Sequence, residues 1–107
     1  MATSLFTPGC PVRTALDMLG GKWRLLLLKV LSAGPLRYGE LRQQLPGISE
    51  KVLAQELRLL ADSDLVERCN YGEVPPRVDY RLTARGQLSL PVLQALQEFG
   101  LAYVRME

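Results

Sequence analysis

Leu36 to Leu60, LRYGELRQQLPGISEKVLAQELRLL, is the stretch whose reading decides the fold. Leu41 and Leu45 stand four apart, so both fall on one face of a short helix beginning near Tyr38. Pro46-Gly47 stops that helix, because proline cannot continue it and glycine accepts the backbone angles of a sharp reversal. Ser49 restarts the chain as a helix N-cap, with Ile48 and Leu53 placed as a hydrophobic staple. Glu50 in the first turn suits the positive end of the helix dipole. Leu53, Leu57 and Leu60 then make one apolar stripe, while Lys51, Gln55 and Arg58 lie on the opposite side at helical spacing. Two helices joined by a tight turn, the second with one leucine face and one face of long donors, are what a helix-turn-helix needs. The leucines lock the second helix to a scaffold, and the donors are long enough to reach base edges and phosphates in a major groove. An ordinary helical hairpin with a solvated charged face fits this stretch as well, so the decision passes to its neighbours.

After Leu60 the pattern changes from helical period to extended chain. Asp62-Ser63-Asp64 predicts a turn, and Leu65 to Tyr71 and Val78 to Leu82 predict two strands. In the second, Val78, Tyr80 and Leu82 alternate cleanly with Arg77, Asp79 and Arg81. Gly72-Glu73-Val74-Pro75-Pro76 between them reads as a loop with an extended, stiffened tip. A two-stranded ribbon beside a helix-turn-helix is a winged helix, and Arg77 next to the tip is its candidate phosphate or minor-groove contact. Cys69 is in phase with Glu67 and Tyr71 on the ribbon and needs no special role.

Upstream, residues 1–9 form a small polar lead expected to be loose. Cys10-Pro11 precedes a short helix, Val12 to Leu19, with Pro11 in the favoured first turn and Ala15, Leu16 and Leu19 as its expected buried stripe. Gly20-Gly21 breaks it. The GGKW that follows is no phosphate loop, since Trp23 stands where a Ser or Thr is required. Lys22 to about Ala33 is apolar nearly all round and is expected to be the central buried helix, with Trp23 in the core. Gly34-Pro35 ends it, and Leu36 pairs as a short edge strand. Downstream, Thr83 is the candidate N-cap of a last helix running to the C-terminus, with Pro91 bending it or marking its true start. The apolar residues of that helix exceed what one small domain can cover. Leu88, Val92, Leu96, Phe99 and Tyr103 are therefore the expected dimer interface.

Composition narrows the function classes. A chain of 107 residues supports a single core, and 48% hydrophobic with 22% charged residues is ordinary for a folded domain. The formal charge of +2 permits a nucleic-acid partner without demanding one. There is no histidine, and Cys10 and Cys69 form no CxxC, which removes histidine triads and the usual zinc sites. No enzyme, metal or cofactor is expected. No apolar run is longer than the four residues Leu25 to Leu28, far too short to span a bilayer. With no secretory leader pattern, the expected setting is a reducing cytoplasm.

Several independent motifs then agree. Cys10-Pro11-Val12, Gly21-Lys22-Trp23, Gly47-Ile48-Ser49, Pro75-Pro76-Arg77-Val78-Asp79-Tyr80 and Leu82-Thr83-Ala84-Arg85-Gly86 stand in the order found in HxlR-type winged-helix transcriptional regulators, relatives of the MarR group. Residues 10–107 resemble that family. The resemblance implies a mainly α fold with a small β-ribbon, a winged helix-turn-helix with N- and C-terminal dimerisation helices. It also implies a bacterial homodimer on a pseudo-palindromic operator in double-stranded DNA. Some members sense oxidants or electrophiles through a cysteine just before the proline that opens the first helix, here Cys10, and many have no known signal. Cys10 would sit at the positive end of a helix dipole, near Arg13 and with no acidic residue before Asp17, a setting that favours thiol reactivity. A small buried cysteine packing the N-terminal arm fits the position too. The chain departs from the family in two places: Phe99 stands where an aromatic, often Trp, is usual, and Asp64 where Gly is common. Asp tolerates left-handed backbone, so the corner is expected to survive.

The candidate DNA-facing set is thus Ser49, Glu50, Lys51, Gln55 and Arg58 from the second helix, Arg77 from the wing, and Arg37, Tyr38 and Arg42 around the first helix. Glu50 either accepts from a cytosine amino group or only supports the helix terminus. Tyr38 either donates to a phosphate or is a partly buried structural tyrosine. The competing class is a winged helix used only for protein–protein contact, without DNA. Nothing acidic or aromatic caps the groove-facing side to favour it.

Overall fold

The structure, a computed structural model, describes residues 10–106, so the polar lead at 1–9 lies outside the described residues. Leu27, Leu28, Leu41, Leu53 and Leu60 are the largest fully buried side chains, and the elements are arranged around them. In chain order these are α1 (Pro11–Leu19), α2 (Arg24–Leu31), β1 (Leu36–Arg37), α3 (Tyr38–Gln44), α4 (Glu50–Asp62), β2 (Val66–Asn70), β3 (Val78–Leu82), a 3₁₀ turn at Gly86–Ser89 and α5 (Leu90–Arg105). Leu27, Leu28 and Leu31 of α2 meet Leu41 of α3 and Leu53, Leu57 and Leu60 of α4 in one cluster, closed below by Leu65 and Val66. Burying each such leucine stabilises the fold by about 1.5–3 kcal/mol.

The wing is broader than a ribbon. Leu36 and Arg37 pair with β3, giving a three-stranded antiparallel sheet in the order β1-β3-β2. β3 is therefore central, with Arg37 opposite Asp79 on one side and Cys69 opposite Asp79 on the other. That corrects the alternation read from sequence. Tyr80 and Leu82 pack against the leucine cluster as expected, but Asp79 is only 5% exposed and does not lie on a solvated face.

The long helix expected at Lys22–Ala33 narrows to Arg24–Leu31 and is not buried all round, since Leu26 is exposed. Trp23 does pack against the core. The expected buried stripe of α1 is a second correction. Ala15 and Leu16 are exposed, Leu19 is half-buried, and no residue within the helix is fully buried. Amphipathic spacing marks a face that needs cover, and here nothing among the described residues provides it.

Pro91 marks the true start of α5, in its first turn. Thr83 caps the 3₁₀ turn before it rather than the helix: its hydroxyl accepts from the Gly86 amide at 2.9 Å and donates to the Asp64 carbonyl at 2.6 Å. Asp64 holds φ 58°, so the corner survives without glycine as expected. Gly86 is irreplaceable for a different reason: a Cβ there would collide with the Leu65 carbonyl oxygen. No helix among the described residues is long and apolar enough to cross a membrane.

Candidate nucleic-acid interface

The helix-turn-helix forms where the sequence places it. Leu41 and Leu45 bury one face of α3, and Gly47 makes the reversal at φ +90°, a conformation costly for any residue with a Cβ. Ile48 and Leu53 are both buried, as a staple requires, and the Val52 amide donates to Ser49 Oγ at 3.1 Å. Ser49 thus spends its hydroxyl on the helix end. With three leucines turned inward, Lys51, Gln55 and Arg58 are exposed, and none of their side chains has a hydrogen bond or ion pair within the described residues.

The angle of α4 is held from behind. Glu56 Oε2 accepts from Arg24 Nε at 2.7 Å in a half-buried ion pair, and Arg24 Nη1 also donates to the Asp17 carbonyl at 3.2 Å. One guanidinium therefore ties α4 to α2 and to the end of α1. Sequence pattern alone did not single out this pair, because its members lie 32 positions apart.

The other candidates around α3 are already engaged. Tyr38 Oη donates to the Glu50 carbonyl at 3.0 Å, which supports its structural reading. Arg42 Nη1 lies 2.9 Å from Glu50 Oε1, so Glu50 is paired at the start of α4. An exposed pair of this kind contributes no more than about 1 kcal/mol. It sets a positive charge beside Glu50 at the start of α4.

Arg37 and Arg77, assigned separately from sequence, come together. Arg37 Nε is 3.9 Å from Asp79 Oδ1 and Arg77 Nη2 is 3.6 Å from Asp79 Oδ2. The Arg77 guanidinium also lies 5.0 Å over the Tyr71 ring. Asp79 and Tyr71 were missed as site residues. The available signal was the run Arg77-Val78-Asp79-Tyr80-Arg81, whose alternating charges share one face of a strand that becomes central. Arg81 pairs instead across the sheet with Glu67, whose hydrogen bond and charge raise its pKa above the ordinary value.

The remaining candidates lie on other elements. Leu88 sits in the 3₁₀ turn and Val92, Leu96, Phe99 and Tyr103 on α5, all exposed, with the Phe99 and Tyr103 rings stacked at 6.2 Å. Cys10 is 2% exposed at the N-cap of α1. Among the described residues no group of three His, Cys, Asp or Glu is placed to hold a metal ion.

A stapled helix pair with an unpartnered donor face, backed by a three-stranded sheet whose last two strands carry a wing loop, defines a winged helix-turn-helix. The family model described as HxlR-like helix-turn-helix matches residues 18–107, and the chain belongs to that family. It is 44% identical over 94 residues to an HTH-type transcriptional regulator of Methanothermobacter thermautotrophicus, covering 88% of this chain and 72% of that one. A crystal structure described as a MarR-family transcriptional regulator from Porphyromonas gingivalis W83 superposes with TM-score 0.86 at 40% identity, over 92% of this chain and 97% of that one. The redox regulator HypR in its oxidized form superposes with TM-score 0.82 at 36% identity, over 87% and 96% of the respective chains. The chain is accordingly a transcriptional regulator and not an enzyme.

Proposed function

We propose that the protein is a sequence-specific DNA-binding regulator acting as a homodimer on a pseudo-palindromic operator. One observation carries the reading. α4 buries Leu53, Leu57 and Leu60 and leaves Lys51, Gln55 and Arg58 exposed without partners, side chains suited to major-groove donors and phosphates. The exposed apolar residues of α1 and α5 support a second copy as the dimer partner, which would set two α4 helices in successive major grooves about 34 Å apart. Arg42 beside the start of α4, with Arg37 and Arg77 around Asp79 on the sheet, supplies positive charge for the DNA backbone. Residues 10–107 act as one DNA-binding domain in this reading.

Gel-shift against the upstream genomic region of the protein's own gene tests it. Lys51→Ala with Gln55→Ala should lower the preference for operator over random duplex by at least about tenfold, since each good base contact is worth about 1–3 kcal/mol. Arg77→Ala should weaken both duplexes more evenly. Normal operator preference in the double variant would remove α4 as the reading helix. A wild type that binds no duplex would favour a protein–protein module instead.

A redox input, which this reading places at Cys10, has support in HypR, a structural neighbour described as a redox regulator. Cys10 is buried at the start of α1, so an oxidant reaches it only when that end opens. α1 shares an apolar cleft of about 410 Å³ with Leu88 and Ser89 of the 3₁₀ turn and Val92 of α5. Displacing α1 would therefore disturb the proposed dimer face.

A further inference from the structure

We propose that Asp79 is a positioning residue for DNA binding, a buried carboxylate that holds Arg37 and Arg77 together as one two-armed phosphate clasp. The inference rests on the DNA-binding reading above. Because β3 is the central strand, Asp79 has a neighbour on each side, Arg37 of β1 and Cys69 of β2. Side chains alternate along a strand, so Asp79 leaves the sheet on the face opposite Tyr80 and Leu82, which pack on the core. A carboxylate 5% exposed there needs both cover and counter-charge. Arg37 at 3.9 Å and Arg77 at 3.6 Å provide them, one on each oxygen.

The separations are those of ion pairs rather than tight hydrogen bonds, and both arginine side chains remain about half exposed. Each guanidinium carries five N–H donors in a planar fork, of which the contact with Asp79 occupies one nitrogen. Donors therefore remain for a phosphate. Each arginine also has a second restraint. The Arg37 amide donates to Glu40 Oε1 at 2.8 Å at the start of α3, which fixes its backbone. Arg77 lies over Tyr71, and the Tyr71 amide donates to the Arg77 carbonyl at 3.1 Å. Two cations around one anion leave the cluster net positive. Holding two rotamer-rich side chains before DNA arrives removes an ordering cost that Lys51 and Arg58, with no such partners, must meet on binding.

An alternative role for Asp79 predicts the opposite sign. A carboxylate that merely subtracts charge would repel phosphates, and its neutralisation would tighten binding. Phosphate contacts are independent of sequence, so a random-sequence duplex of about 30 base pairs, titrated between about 50 and 200 mM salt, reads the clasp without the operator. In the full chain, Asp79→Asn should weaken binding about tenfold and flatten the salt dependence by about one to two in log–log slope, with Asp79→Glu restoring both. The pair Arg37→Gln, Arg77→Gln should lose the same slope, and adding Asp79→Asn to it should change little more. Wild-type slope with equal or tighter binding in Asp79→Asn overturns the positioning role. Should that variant fail to fold, nitrogen-15 relaxation of the wild-type guanidinium Nε–H groups decides: Arg37 and Arg77 should be more ordered than Arg58, and equal disorder overturns the clasp. A wild type that binds no duplex at all overturns the DNA reading and the clasp with it, whereas duplex binding that ignores Asp79→Asn overturns the clasp alone.

Discussion

α4 and α5 carry the same kind of leucine-rich stripe and meet opposite ends. In α4 the stripe Leu53, Leu57 and Leu60 is fully buried, covered by α2, α3 and the start of β2. In α5 no residue is buried, Leu93 alone reaches the cluster, and Phe99 keeps 68% of its surface open. The difference teaches that a periodic apolar face records a need for cover without naming its source. Where leucines on three helices converge, the chain covers itself. Where the helix runs past the domain, the same pattern asks for another surface, and α1 with its bare Leu16 makes the same request. A patch of this composition on a small domain is rarely left in water.

Three changes break or sharpen that contrast. The largest effect is expected from Leu53→Ala, which empties a fully buried site and should cost about 3–5 kcal/mol in urea denaturation. A cost under about 1 kcal/mol would mean that the α4 stripe is no better packed than that of α5. Phe99→Glu should spare the fold, read by circular dichroism, while weakening self-association by about 2 kcal/mol or more, roughly thirtyfold. Light scattering should then show a folded monomer. A persistent dimer would place the contact elsewhere, and an unfolded chain would mean that α5 is core after all. The smallest change is Cys10→Ser, at the one fully buried position opening the bare helix α1. It should leave untreated operator affinity within about threefold, under about 1 kcal/mol. Mild peroxide or a quinone should release DNA from the wild type and not from Cys10→Ser. Equal affinity in all four conditions would reduce Cys10 to a packing residue.

α4 was readable because its signals are local. Pro46-Gly47, the Ser49 cap and the Ile48–Leu53 staple all act within one turn of the chain, and each is found in place. Asp64 was readable for the same reason, a single residue judged by its own backbone tolerance. What escaped depended on pairing between distant segments. The burial of Asp79 follows from β1 joining β3: Leu36 was legible as a short edge strand, but the strand it pairs with was not. The Arg24–Glu56 pair depends on how α2 crosses α4. The exposure of Leu16 shows the limit from the other side: helical spacing located the face correctly and misjudged what it meets. Among the proposed contacts, Lys51, Gln55 and Arg58 were legible as a face, whereas the convergence of Arg37 and Arg77 on one carboxylate required the fold.

The knot at Thr83 has a mechanical meaning. Its hydroxyl and amide fasten the segment leading into α5 to Asp64 and Leu65, the residues through which the chain leaves α4, and Gly86 lies against the same strand of backbone with no room for a side chain. These contacts brace the stem, α5, against the end of α4, the proposed reading head. Two stems meeting through α5 would act as a pair of callipers cut from rigid stock. A small change in the angle at which they cross would appear, magnified by the length of the arm, as a change in the gap between the two tips.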